Sequence, residues 1–253
     1  MTDQQGPLEP IRPRSKKSLR RRKWRRARKN VFVGFLVDLV VILGAALVLS
    51  LLIKTFLIRS FFIPSGSMLE TLQIDDRIIV NQLTPALYPI ERGDVVVFKD
   101  PGGWLGPDVP ENQNVVVQAV DWFLSAFGIT APDSKQHLVK RVIGTGGDRV
   151  ICCDADGKIT VNGVPIDEPY IANNQEPSTV KFDVTVPENS LWVLGDNRGN
   201  SEDSRFHGDL PSKGFVSMDW VVGRAFVISW PFENWTFLDS YPDVFKDVPD
   251  PRN

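Results

Sequence analysis

The sequence predicts a mostly β, coil-rich domain that follows one N-terminal transmembrane helix. Residues 31–53 form an apolar run in which Asp38 is the only charged residue. After residue 75, short runs rich in valine and isoleucine are broken by Gly, Pro, Asp and Asn, the pattern of strands joined by turns. The composition, 42% hydrophobic and 24% charged, is typical of a folded chain.

The charge is unevenly distributed along the chain. Twelve of the 29 lysines and arginines lie in residues 1–29 with only two acids, so the net charge of −2 divides into +10 there and −12 in the remainder. Like charges without apolar periodicity predict a disordered basic tail over residues 1–30. Such a tail alone is also compatible with a nucleic-acid arm or a localisation signal. A body of charge −12 repels phosphate, so we do not expect nucleic acid as a partner.

The apolar run at 31–53 has 23 residues, and a helix of that length spans a hydrocarbon core of roughly 30 Å. A buried core helix or the apolar part of a signal peptide is the alternative, but a cleavable signal is usually shorter in both its basic and its apolar regions. Asp38 is close to the basic end of the run. There, access to the interface, pairing with an arginine or protonation would lower the free-energy cost of placing its carboxylate in lipid. The positive-inside rule predicts a single-pass protein of the cell membrane, with a cytoplasmic N-terminus and residues 54–253 as an extracytoplasmic domain.

The predicted strands lie at 76–80, 94–98, 114–120, 137–143, 149–153, 158–166, 182–186, 190–195 and 220–229, with a short helix at 121–127. Asp156-Gly157 predicts a hairpin turn, and Asn162-Gly163 a second turn. We therefore expect a hairpin-rich subregion at about 149–190 within the domain.

Cysteines and tryptophans give weaker signals. Cys152 and Cys153 are adjacent and form either a vicinal disulfide or two packed thiols, and with only two histidines no structural zinc is expected. Trp220, Trp230 and Trp235 are expected mainly in the core, with the membrane interface as the alternative.

A candidate nucleophile follows the membrane run in Ser65-Gly66-Ser67. A Ser-His-Asp triad would need His137 or His207, and neither is part of a recognisable triad motif. A serine can instead be activated by a lysine whose pKa is lowered by burial.

Lys140 fits that requirement, because strand alternation over 137–143 places it on the face of Leu138 and Val142, with Arg141 on the opposite face. Residues 195–205 carry five charges and two serines. They predict a polar loop that could place a hydroxyl beside this amine.

The chain resembles the bacterial type I signal peptidases, membrane-bound Ser-Lys endopeptidases that remove signal peptides from exported proteins. Four blocks in the family's order carry the resemblance: PSGSM at 64–68, RGDVVVF at 92–98, KRVIG at 140–144 and GDNRGNSEDSR at 195–205. The family commonly has proline at the position of Glu70, so we expect a less rigid turn here.

The resemblance implies a role for each matched residue. Ser67 is the nucleophile and Lys140 the general base, with Ser65 and the Ser67 N–H as oxyanion donors and Ser201 orienting the lysine. The supporting charges are Asp196, Arg198, Asp203 and Arg205. Candidates for the walls of a substrate pocket are Ile63, Pro64, Met68, Leu72, Leu138 and Val139, each of which could equally be core.

The resemblance also implies cleavage of preproteins after an Ala-x-Ala-like site, without metal or other cofactor, with signal peptides and the lipid bilayer as partners. A self-cleaving, repressor-type Ser-Lys protease is one alternative, disfavoured by the membrane anchor. An inactive, membrane-tethered binding protein is the other, disfavoured by the joint presence of Ser67, Lys140 and Ser201.

Overall fold

The computed structural model describes residues 31–106 and 136–251, and strand content exceeds helix content in this part of the chain. The predicted tail at 1–30, strand at 114–120 and helix at 121–127 lie outside the described residues. The first element is helix α1, Val31–Phe56, which extends three residues beyond the apolar run. Its stretch Val33–Ile53 is long and apolar enough to cross a membrane, judged by length and composition.

The strands are β1 Ile58–Phe62, β2 Arg77–Asn81, β3 Val95–Lys99, β4 His137–Thr145, β5 Arg149–Cys152, β6 Ile159–Val161, β7 Val164–Pro165, β8 Phe182–Thr185, β9 Ser190–Leu194, β10 Val216–Ser217, β11 Val221–Trp230 and β12 Thr236–Phe237. A short helix, α2, spans Pro242–Phe245.

The strands of the described residues form two antiparallel sheets. The larger sheet has the order β1-β2-β11-β3-β4-β9-β10, and β12 pairs with β11. Strand β4 therefore lies between β3 and β9, and Lys140 is opposite Val96 in the register with β3. The strand of Lys140 is thus paired on both sides, which limits the freedom of its backbone.

The smaller sheet has the order β7-β6-β5-β8. The turn between β5 and β6 contains Gly157 at φ 80°, and Asn162 and Gly163 at φ 51° and 83° connect β6 to β7. These are the two turns that the Asp-Gly and Asn-Gly pairs predict. Cys152 at the end of β5 is joined to Cys153 by a disulfide.

Strand β3 is buried on both faces. Val95 and Val97 pack in one hydrophobic cluster with Met68 and Ile78, whereas Val96 and Phe98 pack in another. A strand buried on both faces has a continuous apolar run, which explains the uninterrupted DVVVF sequence.

Two tryptophans correct the expectation of a core position. Trp230 and Trp235 are 50% and 55% exposed. Trp230 is the last residue of β11 and its ring lies against Phe232, and Trp235 precedes β12 and lies against Phe237. Both rings thus lie at the ends of strands, where about half of each tryptophan is exposed among the described residues. Trp220 is half-buried.

Candidate active site

Ser67 lies in a turn between β1 and β2 that is fixed at both ends. Ile63 exchanges backbone hydrogen bonds with Asp75 and Asp76 at 2.9 Å each. Met68, next to the serine, is 1% exposed, and its carbonyl accepts a 2.7 Å bond from the N–H of the fully buried Leu72. The buried side chains anchor the turn, while the Ser65 side chain is exposed and Ser67 is half-buried.

The Lys140 amine reaches the Ser67 hydroxyl across 73 residues of sequence. Nζ donates to Ser67 Oγ at 2.8 Å, and Lys140 is 3% exposed. Burial lowers the pKa of Lys140 to about 8, against the nearby carboxylates of Asp203 and Asp196, which raise it. A neutral amine at this distance can accept the serine proton, as general-base catalysis requires.

The two histidines occupy other environments. His207 Nδ1 lies 2.7 Å from the Asp203 carbonyl oxygen, and its ring stacks on Trp104 at 4.3 Å. The His137 ring packs near Phe61 at 5.1 Å, and burial lowers the pKa of His137 to about 4. The Ser67 hydroxyl accepts its hydrogen bond from Lys140, so the arrangement is that of a Ser-Lys pair.

The segment 195–205, here called the catalytic loop, lies against the backbone of Ser67. The Asp203 carboxylate accepts the Gly195 N–H at 3.0 Å and pairs with Arg205 at 2.8 Å, and both side chains are fully buried. Gly195 has no room for a side chain, because a Cβ there would collide with the Ser201 side chain and the Ser67 carbonyl oxygen. The loop is therefore packed directly on Ser67.

Ser201 lies at the site, but it does not make the hydrogen bond to the Lys140 amine that the resemblance implies. Its side chain is 7% exposed, and within the described residues its Oγ has no hydrogen-bond partner. The lysine amine donates instead to Ser67. The orienting role of Ser201 stays a proposal.

Two further charges of the catalytic loop, Asp196 and Arg198, pair with residues outside it. Asp196 accepts from Arg141 at 2.8 Å, and the Arg198–Glu168 pair is 2.6 Å apart, with all four side chains at most 1% exposed. Arg141 also donates to the carbonyl oxygen of Gly93 at 2.7 Å. It thus joins the strand of Lys140 to the catalytic loop.

Sequence reasoning missed Arg141, Glu168 and Asn197 as site residues. Arg141 directly follows the lysine in the KRVIG block and was expected only to point away from it. Asn197 lies inside the fourth block, and its Nδ2 donates to the Gly66 carbonyl at 2.9 Å. Glu168 belongs to no block, so no signal in the motifs indicated it.

The pocket candidates separate into two groups. Ile63, Met68 and Leu72 are buried in one cluster, against which Val139 packs. Leu138 belongs to the cluster on the other face of β3 and β4, as strand alternation requires for neighbours. Pro64 is exposed beside Ser65.

Glu70 adopts a left-handed backbone conformation with φ 76°. Proline fixes φ near −65°, so this turn cannot have the conformation that a proline at the same position would impose. We expected glutamate in place of proline to make the turn less rigid. The positive φ shows that the turn also has a backbone conformation that proline could not adopt.

Comparison with known proteins identifies the family of this chain. A family model described as signal peptidase, peptidase S26, matches residues 36–230. The chain belongs to this family.

Among curated relatives of this signal peptidase family member, signal peptidase I of Mycobacterium tuberculosis is 37% identical over 80% of this chain and 75% of its own length. The probable signal peptidase I of Mycobacterium leprae is 38% identical over 72% and 71%. Signal peptidase I of Leptolyngbya laminosa is 35% identical over 75% and 77%. The chain is a serine endopeptidase of the signal peptidase type.

Proposed function

We propose that this chain removes N-terminal signal peptides from exported preproteins with Ser67 as nucleophile and Lys140 as general base. The observation that carries the proposal is the 2.8 Å contact from Lys140 Nζ to Ser67 Oγ, made by a lysine that is 3% exposed. Burial supplies the lowered pKa that this role needs.

Each half-reaction uses the same two side chains. Neutral Lys140 takes the Ser67 proton while Oγ attacks the scissile carbonyl, and the protonated amine then donates to the leaving amine of the mature protein. Water, deprotonated by Lys140, then hydrolyses the acyl-enzyme and restores the Ser67 hydroxyl. The Ser67 N–H and the exposed Ser65 hydroxyl are the proposed donors to the oxyanion.

Specificity for small residues, as in an Ala-x-Ala end, is proposed on shape. The apolar side chains near Ser67 in the chain, Ile63 and Met68, are 3% and 1% exposed and packed in one cluster. A close-packed surface has few voids that a large side chain could enter, so we expect small residues to be preferred there. An extended peptide would bind with main-chain hydrogen bonds.

We also propose that α1 anchors the chain in the bilayer with residues 1–30 in the cytoplasm and the domain from residue 54 outside. The concentration of twelve basic residues before the helix supports this orientation. A reporter enzyme fused to the C-terminus, active only outside the cytoplasm, should be active in whole cells. A fusion active only in the cytoplasmic form of the reporter would reverse the orientation.

The direct test uses detergent-solubilised, full-length protein and a preprotein, with N-terminal sequencing of the product. We expect one cut after a small-x-small sequence and no cut with Ser67→Ala or Lys140→Ala. Binding of the preprotein without cleavage by the unaltered protein would instead indicate a non-catalytic, membrane-tethered binding protein.

A further inference from the structure

The peptide group between Gly66 and Ser67 is held at its carbonyl end by the catalytic loop. Asn197 Nδ2 donates to the Gly66 carbonyl oxygen at 2.9 Å, and the Asn197 backbone N–H donates to the Ser67 carbonyl at 3.1 Å. Asn197 therefore contacts the peptide groups on both sides of the nucleophile. Its side chain is largely removed from solvent, with 7% exposed.

Holding the Gly66 carbonyl sets the direction of the Ser67 N–H. This peptide bond is not among the cis bonds of the described residues, and in a planar trans peptide the C=O and N–H point in opposite directions. A rotation of the peptide plane that turns the N–H away from the substrate must therefore break the bond from Asn197.

The orientation of the Asn197 amide is in turn set by Gln175, which lies between β7 and β8. Gln175 Nε2 donates to Asn197 Oδ1 at 3.1 Å, and Gln175 Oε1 accepts the Gly199 N–H at 2.7 Å. An asparagine side chain has one acceptor and one donor group. Because Gln175 occupies the acceptor, the donor Nδ2 faces Gly66.

The same segment is attached to the catalytic loop by backbone contacts. The Ala172 N–H donates to the Asp196 carbonyl at 2.9 Å, and Arg198 donates to the Pro177 carbonyl at 2.9 Å. These backbone contacts do not depend on the Gln175 side chain, so its substitution should disturb only that side chain's own two bonds, to Asn197 and to the Gly199 N–H, of which Gln175→Glu can keep the second.

We propose that Asn197 and Gln175 are positioning residues that aim the Ser67 N–H at the oxyanion, with Gln175 acting through Asn197. This inference rests on the proposed function, in which that N–H is an oxyanion donor. An oxyanion donor acts in the transition state and little in the ground state, so misdirecting it lowers kcat and leaves KM nearly unchanged.

The experiment compares preprotein cleavage by full-length Asn197→Ala, Gln175→Ala, the double variant and Gln175→Glu. We expect kcat to fall about 10- to 100-fold for Asn197→Ala, below the roughly 10²–10³ for loss of a donor. Gln175→Ala should fall less, and the double variant should match Asn197→Ala, because Gln175 acts through it.

Gln175→Glu is the most discriminating variant. A carboxylate only accepts hydrogen bonds, so it holds Asn197 only if the amide turns Nδ2 toward the new carboxylate and Oδ1 toward Gly66. We therefore expect a lower kcat for Gln175→Glu than for Gln175→Ala, measured on the alkaline plateau. Asn174→Asp, which adds the same charge at the exposed neighbouring residue, is the matched control and should retain full kcat.

Ser67→Ala in the same assay separates the two levels of inference. If Ser67→Ala still cleaves, the proposed function fails. If Ser67→Ala is inactive while Asn197→Ala and Gln175→Glu keep wild-type kcat, or change only KM, the proposed function stands and the positioning role is wrong. An additive double variant would also contradict the role of Gln175. Melting temperatures of all variants identify any that fail to fold, and Gln175→Glu, at a half-buried site, keeps the test decisive.

Discussion

The guanidinium of Arg141 lies 4.2 Å from the centre of the Tyr170 ring, on the face of β4 opposite Lys140. The same guanidinium pairs with Asp196, and the Tyr170 hydroxyl donates to Glu168 at 2.9 Å. Glu168 holds Arg198. Two buried ion pairs of the catalytic loop are thus connected through one aromatic ring, and β4, the strand of Lys140, is connected to that loop.

Arg141→Met should lower the free energy of unfolding by about 3–5 kcal/mol, the cost of leaving a buried partner charge uncompensated. The charge left unpaired is that of Asp196, whose side chain is fully buried. Denaturation of the full-length protein in detergent measures the loss.

Arg149→Met is the matched control, because its partner Asp183 and Arg149 itself are 52% and 59% exposed. Solvent screens an exposed pair, so we expect its loss to have far less effect on stability than loss of the buried pair. Equal losses for the two variants would contradict the burial of the Arg141 pair.

The acid limb of kcat/KM should report Lys140 and lie near pH 8, the pKa to which burial lowers this amine. Activity requires the neutral amine, so the rate rises with pH up to that value and then levels off. Below the limb the rate should fall about tenfold per pH unit, as for one essential group.

His137 cannot produce such a limb, since burial lowers its pKa to about 4. His137→Gln should therefore preserve the limb near pH 8. If the limb disappears in this variant, the titrating group is His137, and Lys140 is not the general base.

Sequence reasoning reached β2, β3, β4, β9 and β11 of the larger sheet, because runs such as DVVVF are local signals, and the four motif blocks singled out Ser67 and Lys140, whose side chains are in contact. It missed the two-residue strands β10 and β12. It did not reach β1, which begins two residues after the end of α1 and whose sequence IRSFF has neither a valine- and isoleucine-rich run nor a turn signal before it. Nor did it reach Glu168 or Asn197 as partners. Their contacts join residues 30 and 131 positions apart, and such pairing depends on how the sheets pack.

Ser201→Ala should leave the free energy of unfolding unchanged or slightly higher, because the buried hydroxyl has no hydrogen-bond partner within the described residues and burying an unpaired polar group is unfavourable. If the hydroxyl aims the amine during the reaction, cleavage should still fall about 10²-fold, the scale of misplaced catalytic groups. Parallel unfolding and kinetic measurements separate the two effects. Full activity would remove Ser201 from the site.

Gly195→Ala should abolish most cleavage, because the added methyl group would collide with the Ser201 side chain and the Ser67 carbonyl. The displaced groups include the nucleophile's own backbone, so we expect a loss of about 10²-fold or more. Gly208→Ala is the control, since an added Cβ meets nothing within 4 Å there. An active Gly195→Ala variant would mean that the loop is not packed on Ser67.

Glu70 provides a test of the turn that presents Ser67. A residue other than glycine at its φ of 76° is strained, so Glu70→Gly should stabilise the fold by about 0.5–1 kcal/mol. Glu70→Pro should destabilise by more, because the ring cannot reach positive φ, and should reduce cleavage by displacing Ser67. Glu70→Gln keeps the strain of a non-glycine residue at positive φ and removes only the charge, so it is the control for the effect of charge. If Glu70→Pro were as stable and active as the unaltered protein, the left-handed conformation at this position would be wrong, and the turn would follow the proline-containing pattern common in the family.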